Sequence, residues 1–129
     1  MAGELILVIE DNEKNMKLVR DLLQVKGYRT LEAMRAADGL ALAAAHMPDL
    51  VLMDIQLPDM DGVTALERLR ADATTAGIPV VAVTAFAMQS DEARLLASGF
   101  DGYLMKPIEV RSFPEQVRRF CERGRLGAG

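Results

Sequence analysis

The sequence predicts an α/β fold in which a parallel sheet carries helices on both faces. Two observations support this. Strand signals occur five times in 129 residues, and the clearest of them, LILVI and LVLM, are short aliphatic runs typical of buried parallel strands. Each strand signal is followed, after a short connection, by a stretch in which apolar residues have helical spacing. Strict strand–helix alternation of this kind is typical of parallel sheets covered on both sides.

Each element follows from its local pattern. The apolar runs predict five strands, over residues 5–9, 28–33, 50–54, 80–84 and 102–105. Helical spacing predicts five helices, over residues 12–26, 38–46, 63–70, 88–97 and 110–123. Right-handed crossovers leave few topologies for such a chain. We expect the flavodoxin-like strand order 2-1-3-4-5, which is taken from known folds of this class.

Caps and breakers set the predicted helix ends. Gly27 is suited to end the first helix, and Asp38 is expected to cap the second. Pro48 prevents that second helix from continuing beyond His46. Pro114 must lie in the first turn of the last helix, where its missing N–H does no harm.

Composition predicts one small cytoplasmic domain. The net charge of −4 argues against general binding of nucleic acids or anionic membranes. Cys121 is the only cysteine, which excludes an internal disulfide and fits a reducing compartment. No apolar stretch approaches the ~20 residues of a membrane span. We expect a domain over residues 1–123 and a short flexible tail over residues 124–129.

Polar side chains stand where the predicted strands end. Glu10 and Asp11 follow the first strand, and Asp54 and Thr84 end the third and fourth. Lys106 follows the fifth. Since carboxyl ends of parallel strands meet at one sheet edge, these groups are expected to form one site. Three crowded carboxylates repel one another, and oxygen ligands suit a hard cation such as Mg²⁺.

These residues resemble the receiver domain of bacterial response regulators, a CheY-like fold. The matching positions, within a resemblance that spans residues 5–122, are Glu10-Asp11, Asp54, Pro58, Asp61-Gly62, Thr84-Ala85, Tyr103 and Lys106-Pro107. Within the family, the segments that most resemble the DivK type of single-domain cell-cycle regulator are VIEDNEKNMKLVRDLL, PDLVLMDIQLPDMDG and IPVVAVTAFAM. The resemblance implies a two-component or phosphorelay protein in cell-cycle or developmental signalling.

The resemblance also implies a role for each residue of the acidic site. Asp54 would accept a phosphoryl group from a phosphohistidine on a sensor histidine kinase or histidine phosphotransferase. Asp11, Asp54 and the main-chain carbonyl of Gln56 would bind Mg²⁺ or Mn²⁺, and Glu10 would act through bound water. Lys106 would supply a positive charge to the phosphoryl group, as electrostatic catalysis of phosphoryl transfer requires. The protein would catalyse only its own phosphorylation and dephosphorylation.

A switch is implied by the same resemblance. Thr84 would turn toward the phosphoryl group and Tyr103 would rotate into the space left behind. The surface of the fourth helix, fifth strand and fifth helix would then bind a downstream protein. The Lys106–Pro107 peptide bond is expected to be cis. Phe86 and the side chain of Gln56 flank the site and are expected to tune hydrolysis.

Other acidic and basic residues have plainer interpretations. Asp59 and Asp61 form a DxD string, but they follow Pro58 in a loop, so a turn role is favoured over a phosphatase nucleophile. His46 matches no functional position. The arginines of the last helix and tail are interpreted as a solvated helix face rather than a nucleic-acid site.

Three other functions stay open from the sequence. The first is a degenerate receiver that binds partners constitutively, although all five site residues are present. The second is an FMN carrier of the same architecture, which the acidic loop after the first strand disfavours. The third is a phosphatase that works through an aspartyl phosphate, which requires an Asp-x-Asp at the end of the first strand. Glu10-Asp11 lacks that spacing.

Overall fold

Strands and helices alternate along the chain as the periodicity predicts. The computed structural model describes residues 3–85 and 89–124, without the side chains of residues 89–92. The strands are β1 (Leu5–Ile9), β2 (Arg29–Ala33), β3 (Leu50–Asp54), β4 (Val80–Thr84) and β5 (Gly102–Met105). The helices are α1 (Glu13–Val25), α2 (Ala36–His46), α3 (Gly62–Ala71), α4 (Gln89–Ala97) and α5 (Phe113–Arg123).

The five strands form one parallel sheet in the order β2-β1-β3-β4-β5, which confirms the predicted topology. The register brings the strand ends into line. Ile9 pairs with Met53 in β3, and Thr84 at the end of β4 pairs with Met105 in β5. The residues that follow these positions therefore lie side by side along one edge of the sheet.

Two apolar layers cover the sheet because successive side chains of each strand point to opposite faces. On one face, alternate strand residues such as Leu7, Val51 and Val80 pack with α2, α3 and the buried Leu95 of α4. On the other, residues such as Leu52 pack with buried side chains of α1 and α5. With both faces covered, β3 and β4 are buried along their whole length, which explains their uninterrupted apolar sequences.

Two predicted helix starts were wrong. α2 begins at Ala36, so Asp38 lies in the first turn and does not cap the helix. α5 begins at Phe113 rather than at 110. Phe113 is 1% exposed and is the first residue of this segment buried against the sheet, whereas Val110 is 54% exposed. The predicted position of Pro114 in the first turn of α5 is confirmed.

The other predicted ends agree with the structure. Gly27 follows α1 with a φ of 88°, a left-handed conformation that glycine adopts without a steric penalty. Position 88, the expected start of the fourth helix, and the tail beyond Gly124 lie outside the described residues. Over the two described ranges, no helix is long and apolar enough to cross a bilayer.

Candidate functional site

The carboxyl edge of the sheet brings the predicted acids together. Glu10, Asp11 and Asp54 each offer an oxygen atom, and these atoms lie within 4.8 Å of one another. Asp11 is exposed, but Glu10 and Asp54 are only 4% and 5% exposed. Carboxylates are rarely so buried without a compensating charge. The cluster is therefore expected to hold a cation.

Lys106 provides one such charge. Its ammonium lies 2.8 Å from Asp54 Oδ2 and 3.0 Å from Glu10 Oε1, so it bridges the two buried acids. Burial alone lowers the pKa of Lys106, but the hydrogen bonds to Asp54 and Glu10 more than offset it. The net effect raises the pKa above its ordinary value of 10.5, so the ammonium stays charged at neutral pH. The peptide bond between Lys106 and Pro107 is cis, as expected.

The surroundings of Glu10 disfavour its charged form, whereas those of Lys106 favour the charged ammonium. Burial raises the pKa of Glu10, and the negative charge of Asp54 adds to this effect. Hydrogen bonds from the Asn12 N–H, at 3.0 Å, and from Lys106 oppose it. The Asn12 side chain in turn accepts from the N–H of Asn15 at 3.0 Å and caps α1. The start of α1 thus orients the Glu10 carboxylate.

The loop between β3 and α3 closes on itself beside Asp54. The Gln56 N–H donates to Asp54 Oδ1 at 2.9 Å. Gln56 also pairs with Asp61 in an isolated β-bridge, and the Gly62 N–H donates to the Ile55 carbonyl at 3.1 Å. A Cβ on Gly62 would lie 2.6 Å from the Cα of Ile55, so only glycine allows this closure. The loop thereby holds the Gln56 main chain beside Asp54.

Asp61 caps α3, as its predicted turn role implies. Its side chain accepts from the Val63 N–H at 3.2 Å. Asp59 has a role that the sequence did not reveal. Its two oxygens accept from the N–H groups of Ala36 and Ala37, at 2.8 and 3.0 Å, and so cap α2. The prediction that Asp38 caps this helix was wrong because the cap comes from a loop more than 20 residues away in the sequence.

Thr84 and Tyr103 lie on the same face of the sheet. Tyr103 pairs with Ala82, two residues before Thr84, and alternate strand residues share a face. Thr84 is 1% exposed, and its carbonyl accepts from the Lys106 N–H at 2.7 Å. Tyr103 is partly buried against the apolar layer that includes α2 and α3. Phe86 lies outside the described residues.

The remaining candidates stay away from the site. His46 is exposed at the end of α2, and Cys121 is half-buried on α5. Arg118 of α5 departs from the predicted solvated face because it is only partly exposed, whereas Arg123 is exposed as predicted. Arg118 forms an ion pair with Glu4 and lies over a tyrosine ring, and Arg123 donates to the main-chain carbonyl of Asp101. These contacts fasten α5 to the body of the domain.

One buried polar network was missed at the sequence level. Asp101 is 2% exposed and accepts hydrogen bonds from Arg70 and from the Val80 N–H, both at 2.8 Å. Arg70 also donates to the carbonyl of Ile78 at 2.6 Å. The network ties α3 to the starts of β4 and β5. No local pattern predicts it, because its two charged residues are 31 positions apart.

Comparison with known proteins places the chain among receivers. The family model described as response regulator receiver domain matches residues 6–118. The polar-differentiation response regulator DivK of Brucella anthropi is 45% identical over 115 residues, which cover 89% of this chain and 94% of that protein. The protein of the same name from Brucella melitensis gives the same figures.

Solved structures agree with the sequence relatives. One is the receiver domain of the sensor histidine kinase PA1611 from Pseudomonas aeruginosa PAO1, whose crystal structure has a magnesium ion coordinated in the active site cleft. It has a TM-score of 0.84 and 31% identity, and the match covers 93% of this chain and 98% of that one. A CheY-like receiver domain protein from Methanospirillum hungatei JF-1 has a TM-score of 0.84 at 29% identity, with 94% and 95% covered.

Proposed function

Because this chain belongs to the response regulator receiver family, we propose that it is a signalling switch whose phosphoacceptor is Asp54. It is a signalling protein rather than a classical enzyme. One observation supports the assignment above all others. Asp54 ends the central strand β3, so its carboxylate lies between the acids that follow β1 and the Thr84 that ends β4, and it is 2.8 Å from the Lys106 ammonium. A nucleophile, a positive charge and further anionic ligands therefore converge there.

The proposed reaction is transfer of a phosphoryl group from histidine to aspartate. An oxygen of Asp54 forms a bond to phosphorus, and the P–N bond of the donor phosphohistidine breaks. Its electron pair leaves with the imidazole, which takes up a proton. Such transfers need positioning and charge neutralisation more than covalent help from the protein. Lys106 lies beside the attacking carboxylate, and Thr84 at the next strand end provides a hydroxyl donor for a phosphoryl oxygen.

The acidic cluster fits Mg²⁺ or Mn²⁺. All its donors are oxygens, and they lie within 4.8 Å of one another, a spacing comparable to the roughly 4.2 Å between opposite ligands of an octahedral Mg²⁺. We propose Asp11, Asp54 and the Gln56 carbonyl as direct ligands, with Glu10 acting through water. When bound, the ion neutralises the repulsion between the attacking carboxylate and the incoming phosphoryl group.

The output is proposed to be a change in a docking surface. A phosphoryl group adds charge and hydrogen-bond acceptors at Asp54. Thr84 would turn toward it, and Tyr103, on the same sheet face and already partly buried, would move inward. Tyr103 belongs to β5, which lies between α4 and α5 in the chain order, so its movement would reshape the α4-β5-α5 surface. We propose that surface as the binding site of a downstream protein.

Partners and pathway follow from the relatives. The donor would be a sensor histidine kinase or a histidine phosphotransferase. The similarity to DivK proteins, which are named for polar differentiation, supports a role in cell-cycle or developmental signalling. We propose residues 1–123 as the receiver domain, which includes the whole segment matched by the family model.

The test is phosphorylation of the purified protein by acetyl phosphate, and by a phosphorylated histidine kinase, in Mg²⁺. The wild type should gain an alkali-labile phosphoryl group, detected by intact-protein mass spectrometry. Asp54→Asn should gain none, because the amide is a poor nucleophile. Asp38→Asn, an equally conservative change in the first turn of α2, is the matched control and should label normally. Persistent labelling of Asp54→Asn would refute the assignment.

A further inference from the structure

The β3–α3 loop is fastened at its tip as well as at its base. At the base, the bridge between Gln56 and Asp61 closes the loop beside Asp54. At the tip, Asp59 is the residue that reaches α2, with Oδ1 2.8 Å from the Ala36 nitrogen and Oδ2 3.0 Å from the Ala37 nitrogen. Both oxygens of one exposed carboxylate are thus used to hold a helix start from another part of the chain.

The start of α2 has no cap of its own. Arg35 occupies the N-cap position with extended backbone angles and makes no side-chain cap hydrogen bond. The first N–H groups of a helix lack intrahelical acceptors and carry partial positive charge, so a carboxylate satisfies both needs. Hydrogen bonds from Ala37 and Ala36 hold the pKa of Asp59 below its ordinary value, which keeps the carboxylate charged.

α2 is itself packed against the other half of the acidic site. A Cβ on Gly39 would lie 2.3 Å from Cδ1 of Ile9, so the helix sits directly on the last residue of β1. Ile9 is followed by Glu10 and Asp11. The helix therefore touches the strand that leads into two of the acids. Asp59 joins the start of the same helix to the loop that contains Gln56.

We propose that Asp59 is a positioning residue for the cation site, acting through its bonds to the start of α2. This inference rests on the proposed function, since it concerns the same Mg²⁺ ligands. In the proposed role, Asp59 does not touch the ion. It fixes the distance between the loop ligand and the acids that follow β1. Partners that orient metal ligands without binding the metal typically contribute 10- to 100-fold to metal affinity.

Three variants distinguish the effect of the hydrogen bonds between Asp59 and α2 from the effect of the negative charge of Asp59. Asp59→Ala removes both acceptors, and its Mg²⁺ dissociation constant should rise roughly 10-fold in isothermal titration calorimetry. Asp59→Asn removes the charge but keeps an acceptor, and asparagine caps helices as well as aspartate, so its affinity should stay close to that of the wild type. Ala37→Pro keeps the carboxylate but removes one donor in the first turn, where proline is tolerated, and should weaken Mg²⁺ binding.

Asp72→Ala is the control for loss of an exposed carboxylate that accepts a main-chain hydrogen bond. Asp72 accepts from the Thr74 N–H at 2.9 Å, in the segment after α3. It should change the Mg²⁺ affinity little, whatever its effect on stability. A readout without metal completes the test: in EDTA, the amide NMR signals of Gln56 and Gly62 should shift in Asp59→Ala and Ala37→Pro but not in Asp72→Ala.

The outcomes are distinct. Wild-type affinity in folded Asp59→Ala and Ala37→Pro would overturn the positioning role and leave the phosphoacceptor assignment standing. Weak binding in Asp59→Asn together with wild-type binding in Ala37→Pro would also overturn it, because charge alone would then explain the effect. If Asp59→Ala fails to fold, Asp59→Asn and Ala37→Pro still test the positioning role of Asp59. A wild-type protein that binds no Mg²⁺ would refute this inference and the proposed cation site together.

Discussion

Replacing Lys106 by methionine should destabilise the metal-free protein far more than the Mg²⁺-bound protein. The Lys106 ammonium forms ion pairs with two acids that are about 95% buried. It lies 2.8 Å from the Asp54 carboxylate and 3.0 Å from the Glu10 carboxylate. Methionine keeps much of the apolar stem but leaves both carboxylates without that charge. A divalent ion at the same site would supply the missing charge, so Mg²⁺ should restore much of the lost stability.

The magnitude follows from the burial of the three groups. Removing one partner of a buried ion pair costs about 3–5 kcal/mol. Lys106 is 21% exposed, so water screens part of the interaction and we expect the lower end, about 3 kcal/mol in EDTA. Unfolding a chain of 129 residues changes the entropy by roughly 0.27 kcal/mol/K, so this corresponds to a fall in Tm of about 11 °C.

Urea unfolding in EDTA and in excess Mg²⁺ measures the effect. The deficit of Lys106→Met relative to the wild type should fall to less than half when Mg²⁺ is present. Lys26→Met, at an exposed position after α1, is the control and should change the free energy of unfolding by under about 0.5 kcal/mol in both solutions. An equal deficit in EDTA and Mg²⁺, or no deficit, would show that Lys106 does not balance the acids that a cation is proposed to bind.

Three further changes test other parts of the structure. Arg70→Met should lower the free energy of unfolding by about 3–5 kcal/mol in urea titrations, because Asp101 is a buried carboxylate that loses the guanidinium 2.8 Å away; a cost under about 1 kcal/mol would contradict this. Gly62→Ala should weaken Mg²⁺ binding in calorimetry, because its Cβ would meet the backbone of Ile55 at 2.6 Å and displace the loop; unchanged affinity would argue against a rigid loop. Burial raises the pKa of Cys121 to about 11, so at pH 8 iodoacetamide should alkylate the native thiol about 100-fold more slowly than the urea-unfolded thiol, whose ordinary pKa is 9.0. Similar rates in the two states would show that the thiol is not protected.

The fold and the convergence of the acids with Lys106 could be predicted because their signals are local. Most strands carry their own apolar run, and Glu10, Asp54, Thr84 and Lys106 each end or follow a strand. Once the strands are parallel, the position of Glu10, Asp54 or Lys106 at a strand end is enough to place it at the common edge. The order of the strands could not be predicted from local signals. It was taken from known folds and from the family resemblance.

The features that were missed depend on contacts between distant parts of the chain. The cap of α2 is Asp59, which accepts hydrogen bonds from N–H groups 22 and 23 residues away in the sequence. The local pattern had indicated Asp38 instead. The start of α5 was placed three residues early because helical spacing ignores whether a residue reaches the core. Phe113 reaches it and Val110 does not. Sequence periodicity reports which residues can form a helix, and tertiary packing selects where the helix begins.

The charges of the site relate the cation to the switch. With its three carboxylates ionised and Lys106 protonated, the site carries two excess negative charges, which one divalent ion neutralises and a monovalent ion does not. The proposed phosphorylation of Asp54 would replace a singly charged carboxylate by a group carrying nearly two charges, so about one negative charge would again be uncompensated. Thr84 offers a neutral hydroxyl donor at the end of the next strand, where it is buried. In the proposed switch, the Thr84 hydroxyl would move toward that charge and away from the face it shares with Tyr103, so an electrostatic change at the sheet edge would become a change of packing at β5.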